Sequence, residues 1–391
     1  MSTTQDVRTT PAPRRTPAVD APAPPRRRLP LTAIGGVALL ALMVLLPLVN
    51  LTVPGVLPGP TYTAGSLNLL ALCMVYASLA LSYHLLLGTG GMLSFGHALY
   101  FGAGAYGLGI ILAQTGIPLW PAVLVTILGV MMLAVVTGAI SLRVTGIPFA
   151  MVTLAFAEAG SVLVRRNPRD LTNGGDGLIM NSDPVPEWML GVVNTRNLYW
   201  MSLVLLAVVF LVVVWIDRSR VGHVTAAARE NELRVRVLGL RPYTAKLVVF
   251  AVSGLLASTA GIMYLFLHSG TTPTSVSANL TITVLLMVVI GGVGSRWGAV
   301  AGAVVYTLFN QRLTKLAESD FVAGLPDAVR IPLSQPLFIL GTVFVLIVLF
   351  LPGGIAGTLS AVTARWRRTD RGAPHGAHRL EQAASESGPI G

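Results

Sequence analysis

Apolar runs of about 20 residues recur along almost the whole chain, and each is long enough to cross the roughly 30 Å hydrocarbon core of a bilayer. We predict about ten membrane-spanning helices from these runs. They cover residues 31–53, 66–87, 98–114, 118–140, 147–164, 197–216, 246–267, 278–292, 298–312 and 333–351. Only 11% of the 391 residues are charged, against roughly 25% in a soluble domain. The sequence therefore predicts an all-α polytopic integral membrane protein and excludes a water-soluble globular enzyme.

Positive charge is concentrated in three segments of the chain. Six Arg accompany two Asp in residues 1–30, seven basic residues accompany three acidic ones in 217–246, and five Arg accompany three acids after residue 362. The loops 165–196 and 312–332 are balanced. Because short cytoplasmic loops are enriched in Lys and Arg, both termini are predicted to be cytoplasmic. The net charge of +11 is thus a topology signal and does not indicate nucleic-acid binding.

The composition divides the chain into three parts. Residues 1–30 are rich in Pro, Ala, Thr and Arg and lack apolar periodicity, which is typical of a disordered tail. A transmembrane domain is predicted for residues 31–356, followed by a second disordered, cytoplasmic tail over 357–391. The first apolar run has no convincing cleavage site for a signal peptidase, so it is expected to stay as an anchor.

Two glycine-rich stretches interrupt the apolar runs. GGMLSFGHALYFGAGAYG begins at Gly90 and contains Ser94 and His97, and GGVGSRWGAVAG begins at Gly291. Glycine allows helices to pack closely, and a break in a span frees backbone groups that can line a polar path. The stretches therefore suit either close packing or discontinuous, re-entrant Gly-rich helices, and their similarity fits an internal repeat.

Few ionisable residues lie inside the predicted spans, namely His84, Glu158 and His97. A carboxylate at membrane depth is costly and is by default a functional-site hypothesis. Glu158 is therefore a candidate for a translocation path, the alternatives being a hydrated position near the outer interface or a pair with His84. A single acid disfavours a proton-driven carrier. Because neither lysine follows a glycine, the chain has no phosphate-binding GxxxxGK[ST] loop, and ATP hydrolysis would need another subunit.

The stretch 222–246, GHVTAAARENELRVRVLGLRPYTAK, is too polar for the lipid core and is predicted to be a short cytoplasmic helix. Charge pairs at i, i+4 spacing and an apolar stripe support the helix. The pairs are Glu230–Arg234 and Glu232–Arg236, and the stripe is Leu233, Val237 and Leu240. The pattern suits a solvated face along the membrane surface, or a helix that docks in a groove of a cytosolic partner.

The outer loop at residues 170–178, DLTNGGDGL, combines turn-forming residues with two aspartates. A tight turn is favoured over a weak cation site, because the spacing matches no known calcium loop. The sequence also contains no zinc-ligand spacing, nucleophile–base pair or paired catalytic carboxylates. We therefore expect no metal site, no cofactor and no enzymatic activity in this chain.

Five motifs, in this order, resemble one protein family. GGMLSFGHALYFGAGAYG, GIPFAMVTLAFAEAG, LTNGGDGL, AARENELRVRVLGLRPYTAKLVVFAVSGLLASTAGIMY and GGVGSRWGAVAGA are similar to the permease subunits of branched-chain amino acid ABC importers, especially to the longer permease of the pair. The resemblance covers about residues 65–355. It implies a multi-pass protein of the bacterial inner membrane that works with a second permease, two cytosolic ATP-binding subunits and an extracytoplasmic solute-binding protein.

The same resemblance implies roles for particular residues. The contact with an ATPase subunit would involve Ala228, Arg229, Glu230, Asn231, Glu232 and Gly239. The small or acidic residues usual just before the glycine are replaced here by Arg234, Val235 and Arg236. The loop facing the binding protein would be Asn173, Gly174, Gly175, Asp176 and Gly177. The residues near the translocation path would be Ser94, His97, Thr153 and Glu158.

The expected function is that of a permease subunit of an ATP-binding cassette importer that moves branched-chain or related hydrophobic amino acids by alternating access. One alternative is a permease of the same superfamily for urea, short amides or another small polar solute. Another is a self-sufficient channel or secondary carrier, which would transport solute without ATPase subunits.

Overall fold

The computed structural model describes residues 58–317 without interruption, together with residues 41, 43–50, 335, 338, 339, 341, 342, 345, 349 and 353–358. The chain divides into two units, Met1–Met43 and Val44–Gly391. Every feature discussed below lies in the second unit. The predicted tails 1–30 and 357–391 fall almost entirely outside the described residues, so their boundaries stay predictions.

Helices dominate the described part of the second unit. They are α1 (Ala64–His84), α2 (His97–Gln114), α3 (Leu119–Ser141), α4 (Ile147–Arg166), α5 (Thr195–Arg218), α6 (Arg220–Glu230), α7 (Glu232–Val237), α8 (Pro242–His268), α9 (Ala278–Gly291) and α10 (Arg296–Ala317). A π-helical turn, Leu85–Thr89, continues α1. Strands β1 (Leu178–Ile179) and β2 (Gly270–Thr271) pair antiparallel, with Leu178 opposite Thr271. The predicted all-α polytopic class is confirmed.

Five helices in the described part are long and apolar enough to cross a membrane. They are α1 with its π-helical turn, α3, α4, α5 with the turn before it, and α8. A sixth crossing results if the bent pair α9 and α10 counts as one. Helix α2 occupies the predicted run 98–114. It is not among these five helices, because four glycines and the terminal His and Gln lower its mean hydropathy. The predicted runs 31–53 and 333–351 fall largely outside the described residues, so a total of ten spans stays a prediction.

Helix α1 forms the centre of the bundle. Its side chains are buried around most of the helix circumference, and it packs against α5, α8, α9 and α10. A helix that is apolar on every side is typical of such a central position. Helices α3, α4 and α5 bury a much smaller share of their residues. Each of these three helices therefore turns a broad face towards the outside of the described chain.

Helices α2 and α8 approach each other through small residues. A methyl group placed on Gly261 would overlap the carbonyl oxygen of Phe101, and one placed on Gly104 would overlap the carbonyl oxygen of Ser258. Glycines at such positions let two helix backbones come into direct contact. For Gly104, the interpretation of the first glycine-rich stretch as a close-packing motif is therefore correct.

Both predicted interruptions of the spans are present. Residues 90–96 leave the helix between α1 and α2, and Gly91 there has a φ of 62°. Between α9 and α10 the chain bends by 119°, with φ values of 108° at Gly292 and 99° at Gly294. Helix α9 has 14 residues, a length of about 21 Å, which is too short for the hydrocarbon core. The two glycine-rich stretches thus produce discontinuous helices.

The polar stretch 222–246 differs from the single helix predicted for it. It contains two helices, α6 and α7, because Asn231 is extended, with φ −157° and ψ 101°. The Asn231 side chain accepts a hydrogen bond of 3.0 Å from the Arg234 backbone N–H and so caps α7. The predicted pairing of Glu230 with Arg234 is wrong, since the two residues lie on different helices. We call residues 219–241 the coupling segment below, after the role that the family resemblance implies for them.

Candidate functional site

Two of the residues predicted near a translocation path lie at the first glycine break: Ser94 is within it, and His97 begins α2 directly after it. The Nε2 atom of His97 lies 2.8 Å from the Ser82 hydroxyl, and the Tyr83 hydroxyl donates a 3.0 Å hydrogen bond to the Ser94 carbonyl. His97 and Ser94 are both buried. These contacts satisfy backbone and side-chain groups that a non-helical segment would otherwise leave unpaired inside the bundle.

Thr153 of α4 belongs to the same cluster. Its hydroxyl accepts a 3.1 Å hydrogen bond from the backbone N–H of Phe95 and donates one of 2.9 Å to the Ala150 carbonyl. Gly96 lies so close that a methyl group there would sit 2.6 Å from the Thr153 carbonyl oxygen. The structure therefore brings Ser94, His97 and Thr153 together and uses them to fix the break against α4.

Glu158 lies apart from this cluster, although it is on the same helix as Thr153. It is exposed on the outer face of α4, with the exposed side chains of Met151 two turns before it and of Val162 one turn after it. It follows Ile147 by 11 residues, a rise of about 17 Å, and is therefore near the middle of the helix. Helix α3, which also turns a broad apolar face outwards, carries no ionisable residue at all. A carboxylate at this depth does not suit contact with lipid chains.

The end of α4 that carries Ile147 opens onto a cavity of about 600 Å³. Its walls combine apolar residues of the first break and of α4 with charged side chains from the α3–α4 loop, the coupling segment and α8. The charged residues are Arg143, Arg229, Arg236, Lys246 and Glu232. Four positive charges and one negative charge give this cavity a positive potential. The helix begins there without a side-chain cap, and because Pro148 has no N–H, the uncapped donors of its first three residues are the N–H groups of Ile147 and Phe149.

The coupling segment is fastened to the bundle by its polar side chains. Glu232 accepts hydrogen bonds from Lys246 over 2.6 Å and from Arg236 over 2.5 Å. Burial of the Glu232 carboxyl opposes its ionisation, but these two cations outweigh that effect and lower its pKa. The side chain of Val235 is buried on the same helix. The inner face of α7 is therefore held against α8.

Three large apolar side chains on α7 and directly after it are exposed. Leu233, Val237 and Leu238 are 71%, 80% and 76% exposed. We call these three residues the apolar patch. Gly239 ends the helix with a φ of 77°, which favours glycine. Large apolar side chains clustered on a polar segment mark a surface that contacts another molecule.

We expect Glu232→Gln to lower the free energy of unfolding by about 1 kcal/mol at pH 7, because the charge-assisted bridge to Lys246 and Arg236 is lost. Because the pKa of Glu232 is lowered in the folded state, the bridge gives its full stabilisation above the ordinary carboxyl pKa of about 4.3. The stabilisation is lost as the pH falls through the lower pKa of the folded state. Thermal unfolding in detergent between pH 7 and pH 3 measures it. Glu187→Gln, at an exposed position, is the control. A Glu232→Gln variant as stable as the wild type at pH 7 would contradict the prediction.

Two further residues assigned to the coupling contact pack against the rest of the chain instead. Ala228 is buried, and Arg229 donates a short hydrogen bond to the carbonyl of Gly88 at the end of α1. The side chain of Arg229 also lies over Gly91, where an added methyl group would come within 2.6 Å of its Cγ. Helix α6 is thus in direct contact with the first glycine break.

The loop predicted to face a binding protein is a closed turn. Residues 174–176 form one 3-10 turn, and the Asn173 amide donates a 3.0 Å hydrogen bond to the Gly177 carbonyl. Gly177 has a φ of 82° and packs against the Thr271 carbonyl. Gly175 and Asp176 are exposed. The interpretation of this motif as a turn is confirmed.

Sequence reasoning missed one group of contacting residues. Asp217, Thr89 and Arg296 come together at the junction of α5 and α6. His84 is buried beside them and lines the same cavity, so the alternative in which it pairs with Glu158 is wrong. One feature of the sequence could have pointed to this group. Asp217 is an acidic residue at the end of an apolar run and next to a strongly basic segment.

The family assignment follows from a match over most of the chain. A family model described as "Branched-chain amino acid transport system / permease component" matches residues 65–361. The chain belongs to this family. The match contains both glycine breaks, all of α4 and the whole coupling segment. The resemblance inferred from the five motifs is confirmed, and the chain is a multi-pass membrane protein of this permease family.

Individual relatives name several solutes. The high-affinity branched-chain amino acid transport system permease protein LivM of Escherichia coli strain K12 is 25% identical over 279 residues, which are 65% of this chain and 65% of LivM. The chain thus spans 65% of the length of that relative. The ribose import permease protein RbsC of the same strain is 27% identical over 157 residues, covering 39% of this chain and 44% of RbsC. The autoinducer 2 import system permease protein LsrC of Photorhabdus luminescens is 27% identical over 150 residues, covering 36% and 43%. No solved structure matches the chain.

Proposed function

We propose that this permease is one of two transmembrane subunits of an ATP-driven importer for branched-chain or related hydrophobic amino acids. It provides one wall of the translocation path and the segment through which ATP hydrolysis drives transport. Two cytosolic ATP-binding subunits hydrolyse the ATP, and an extracytoplasmic solute-binding protein delivers the amino acid. The chain itself holds no cofactor and catalyses no reaction.

The exposed carboxylate of Glu158 carries this proposal. An ionisable residue near the middle of a membrane-spanning helix needs a polar environment, and the described chain does not enclose it. A second permease subunit packed beside α4 would enclose Glu158 at a water-filled interface. The translocation path therefore runs between the two permeases, along the face of α4.

Two observations favour amino acids as the solutes. The match to LivM covers 65% of the chain, whereas the match to RbsC covers 39%. The positive cavity at the beginning of α4 suits a solute with a carboxylate, which an amino acid has and a neutral sugar lacks. Ribose-like solutes are the second candidate, because RbsC is named as a ribose import permease and its match extends over 157 residues.

The apolar patch of α7 is the proposed contact with an ATP-binding subunit. It lies next to Gly239 and Glu232, which the family resemblance also assigns to this contact. The coupling segment would then be cytoplasmic, in agreement with its excess of basic residues. The turn Asn173–Gly177 would face the solute-binding protein on the outer side of a bacterial inner membrane, and both termini would be cytoplasmic.

We expect labelled leucine to accumulate in proteoliposomes only when this chain, the second permease, both ATP-binding subunits and the binding protein are present with ATP. Unlabelled valine or isoleucine should compete with leucine, whereas ribose and urea should not. The measurement is ATP-dependent uptake, with a vesicle that lacks the ATP-binding subunits as the reference. The Glu158→Leu variant should take up leucine at least about tenfold more slowly.

The outcomes separate the candidate functions. Accumulation of labelled ribose in preference to leucine would replace the amino acid assignment with a sugar. Uptake by this chain alone, without ATP, would show a channel or secondary carrier and would refute the importer proposal. Wild-type uptake by Glu158→Leu would remove Glu158 from the path.

A further inference from the structure

The π-helical turn that precedes the first glycine break and the second break itself line one cavity of the bundle. A cavity of about 590 Å³ there is lined by the end of α1, the end of α5, helix α6 and the second break. Thr89, Asp217, Arg229 and Arg296 contribute side chains to its wall. The turn before the first break and a residue of the second break therefore lie within reach of the coupling segment.

One carboxylate joins the two breaks. The Thr89 hydroxyl donates a 2.7 Å hydrogen bond to Asp217 Oδ1. The Arg296 Nη1 atom lies 3.6 Å from Asp217 Oδ2. Thr89 ends the π-helical turn before the first break, and Arg296 begins α10 directly after the second. The side chain of Asp217 is 18% exposed, so its charge is only partly screened by water.

Asp217 is also rigidly attached to the coupling segment. A single residue, Ser219, separates α5 from α6, and its hydroxyl accepts a 3.2 Å hydrogen bond from the Gly222 N–H. A methyl group at Gly222 would overlap the Ile216 carbonyl and come within 3.0 Å of the Asp217 Cα. Such a tight turn leaves no room for bending between the two helices. A displacement of α6 therefore moves Asp217 with it.

We propose that Asp217 is the positioning residue that transmits movement of the coupling segment to both glycine breaks. The inference rests on the proposed function, in which an ATP-binding subunit moves that segment. Glycines with positive φ, Gly91 in the first break and Gly292 and Gly294 in the second, are the places where the backbone rotates. Asp217 acts through Thr89 and Arg296, and it contacts no solute. Arg229, with its hydrogen bond to Gly88, holds the first break to α6 from the other side.

The test uses the full assembly in proteoliposomes and measures leucine uptake and ATP hydrolysis in the same sample. In Asp217→Arg the contacts to Arg296 and Thr89 are lost, and the amount of leucine moved per ATP should fall at least about tenfold while hydrolysis continues. The double variant Asp217→Arg with Arg296→Asp restores an ion pair of opposite polarity. It should recover the ratio to within about threefold of the wild type.

Asp183→Arg is the matched control, because Asp183 is an exposed aspartate of the 167–194 loop. Its ratio of leucine to ATP should equal that of the wild type. A wild-type ratio in Asp217→Arg, or a double variant no better than the single one, would overturn the inference. If Asp217→Arg fails to assemble, Asp217→Asn keeps an acceptor for Thr89 and removes the charge, and an unchanged ratio in that variant would also overturn it. Failure of the wild-type assembly to import any solute would count against the proposed function instead.

Discussion

Substitution of Gly261 by valine is expected to prevent stable folding of this permease. The Cβ of any side chain at this position in α8 would overlap the Phe101 carbonyl oxygen of α2. The obstacle is a backbone atom, so the two helices would have to move apart along their length. Overpacking of this kind costs about 3 kcal/mol, and here it also displaces α2, the helix that follows the first break. Thermal unfolding of the detergent-solubilised chain and its yield in the membrane measure the loss.

Gly129→Val is the matched control for this prediction. Gly129 lies within α3, another membrane-spanning helix, and a Cβ there would meet nothing within 4 Å. The same chemical change should therefore leave yield and unfolding temperature close to those of the wild type. Equal stability of Gly261→Val and Gly129→Val would show that α2 and α8 are not in direct backbone contact.

Leu238→Asp is expected to weaken binding of the ATP-binding subunit by about 30-fold, the effect of losing a central contact worth 2 kcal/mol. Leu238 is 76% exposed next to Leu233 and Val237, so the substitution removes no contact within the permease. A carboxylate in the apolar patch would be desolvated without a partner when the ATP-binding subunit docks. Titration of the purified ATP-binding subunit onto the permease in nanodiscs measures the dissociation constant.

Val193→Asp is the control for this second prediction, because Val193 is 95% exposed in the loop before α5 and far from α7 along the chain. It should bind the ATP-binding subunit with wild-type affinity. The alternative in which the coupling segment lies along the membrane surface gives a different result. In that case Leu238→Asp would destabilise the permease in the bilayer and leave the dissociation constant unchanged.

Much of the helical framework could be predicted from hydropathy. Helix α3 is found at Leu119–Ser141, against a predicted run of 118–140, and α4 at Ile147–Arg166, against 147–164. Such long apolar runs have few alternatives in a bilayer. The glycine-rich stretches also identified both breaks, because Gly91 and Gly292 adopt backbone conformations that other residues rarely adopt.

Contacts between distant residues could not be predicted in the same way. Asp217 and Thr89 are 128 positions apart, and no periodicity relates them. The division of the coupling segment depends on one side chain, Asn231, which caps α7 where the charge pattern favoured a continuous helix. The position of Glu158 on an exposed face depended on how α4 packs against the first break. In each case tertiary packing decided the outcome.

Helix α8 links the two ends of the permease. Near its beginning Lys246 forms the ion pair with Glu232, and one residue after its end β2 begins and pairs with β1 of the 167–194 loop. The helix runs for 27 residues without a break, a length of about 40 Å. Unlike α1 and α9, this helix is not followed by a glycine break about which one part could rotate. A tilt imposed at Lys246 therefore tilts the whole helix, and the turn at Gly177 must move at the same time.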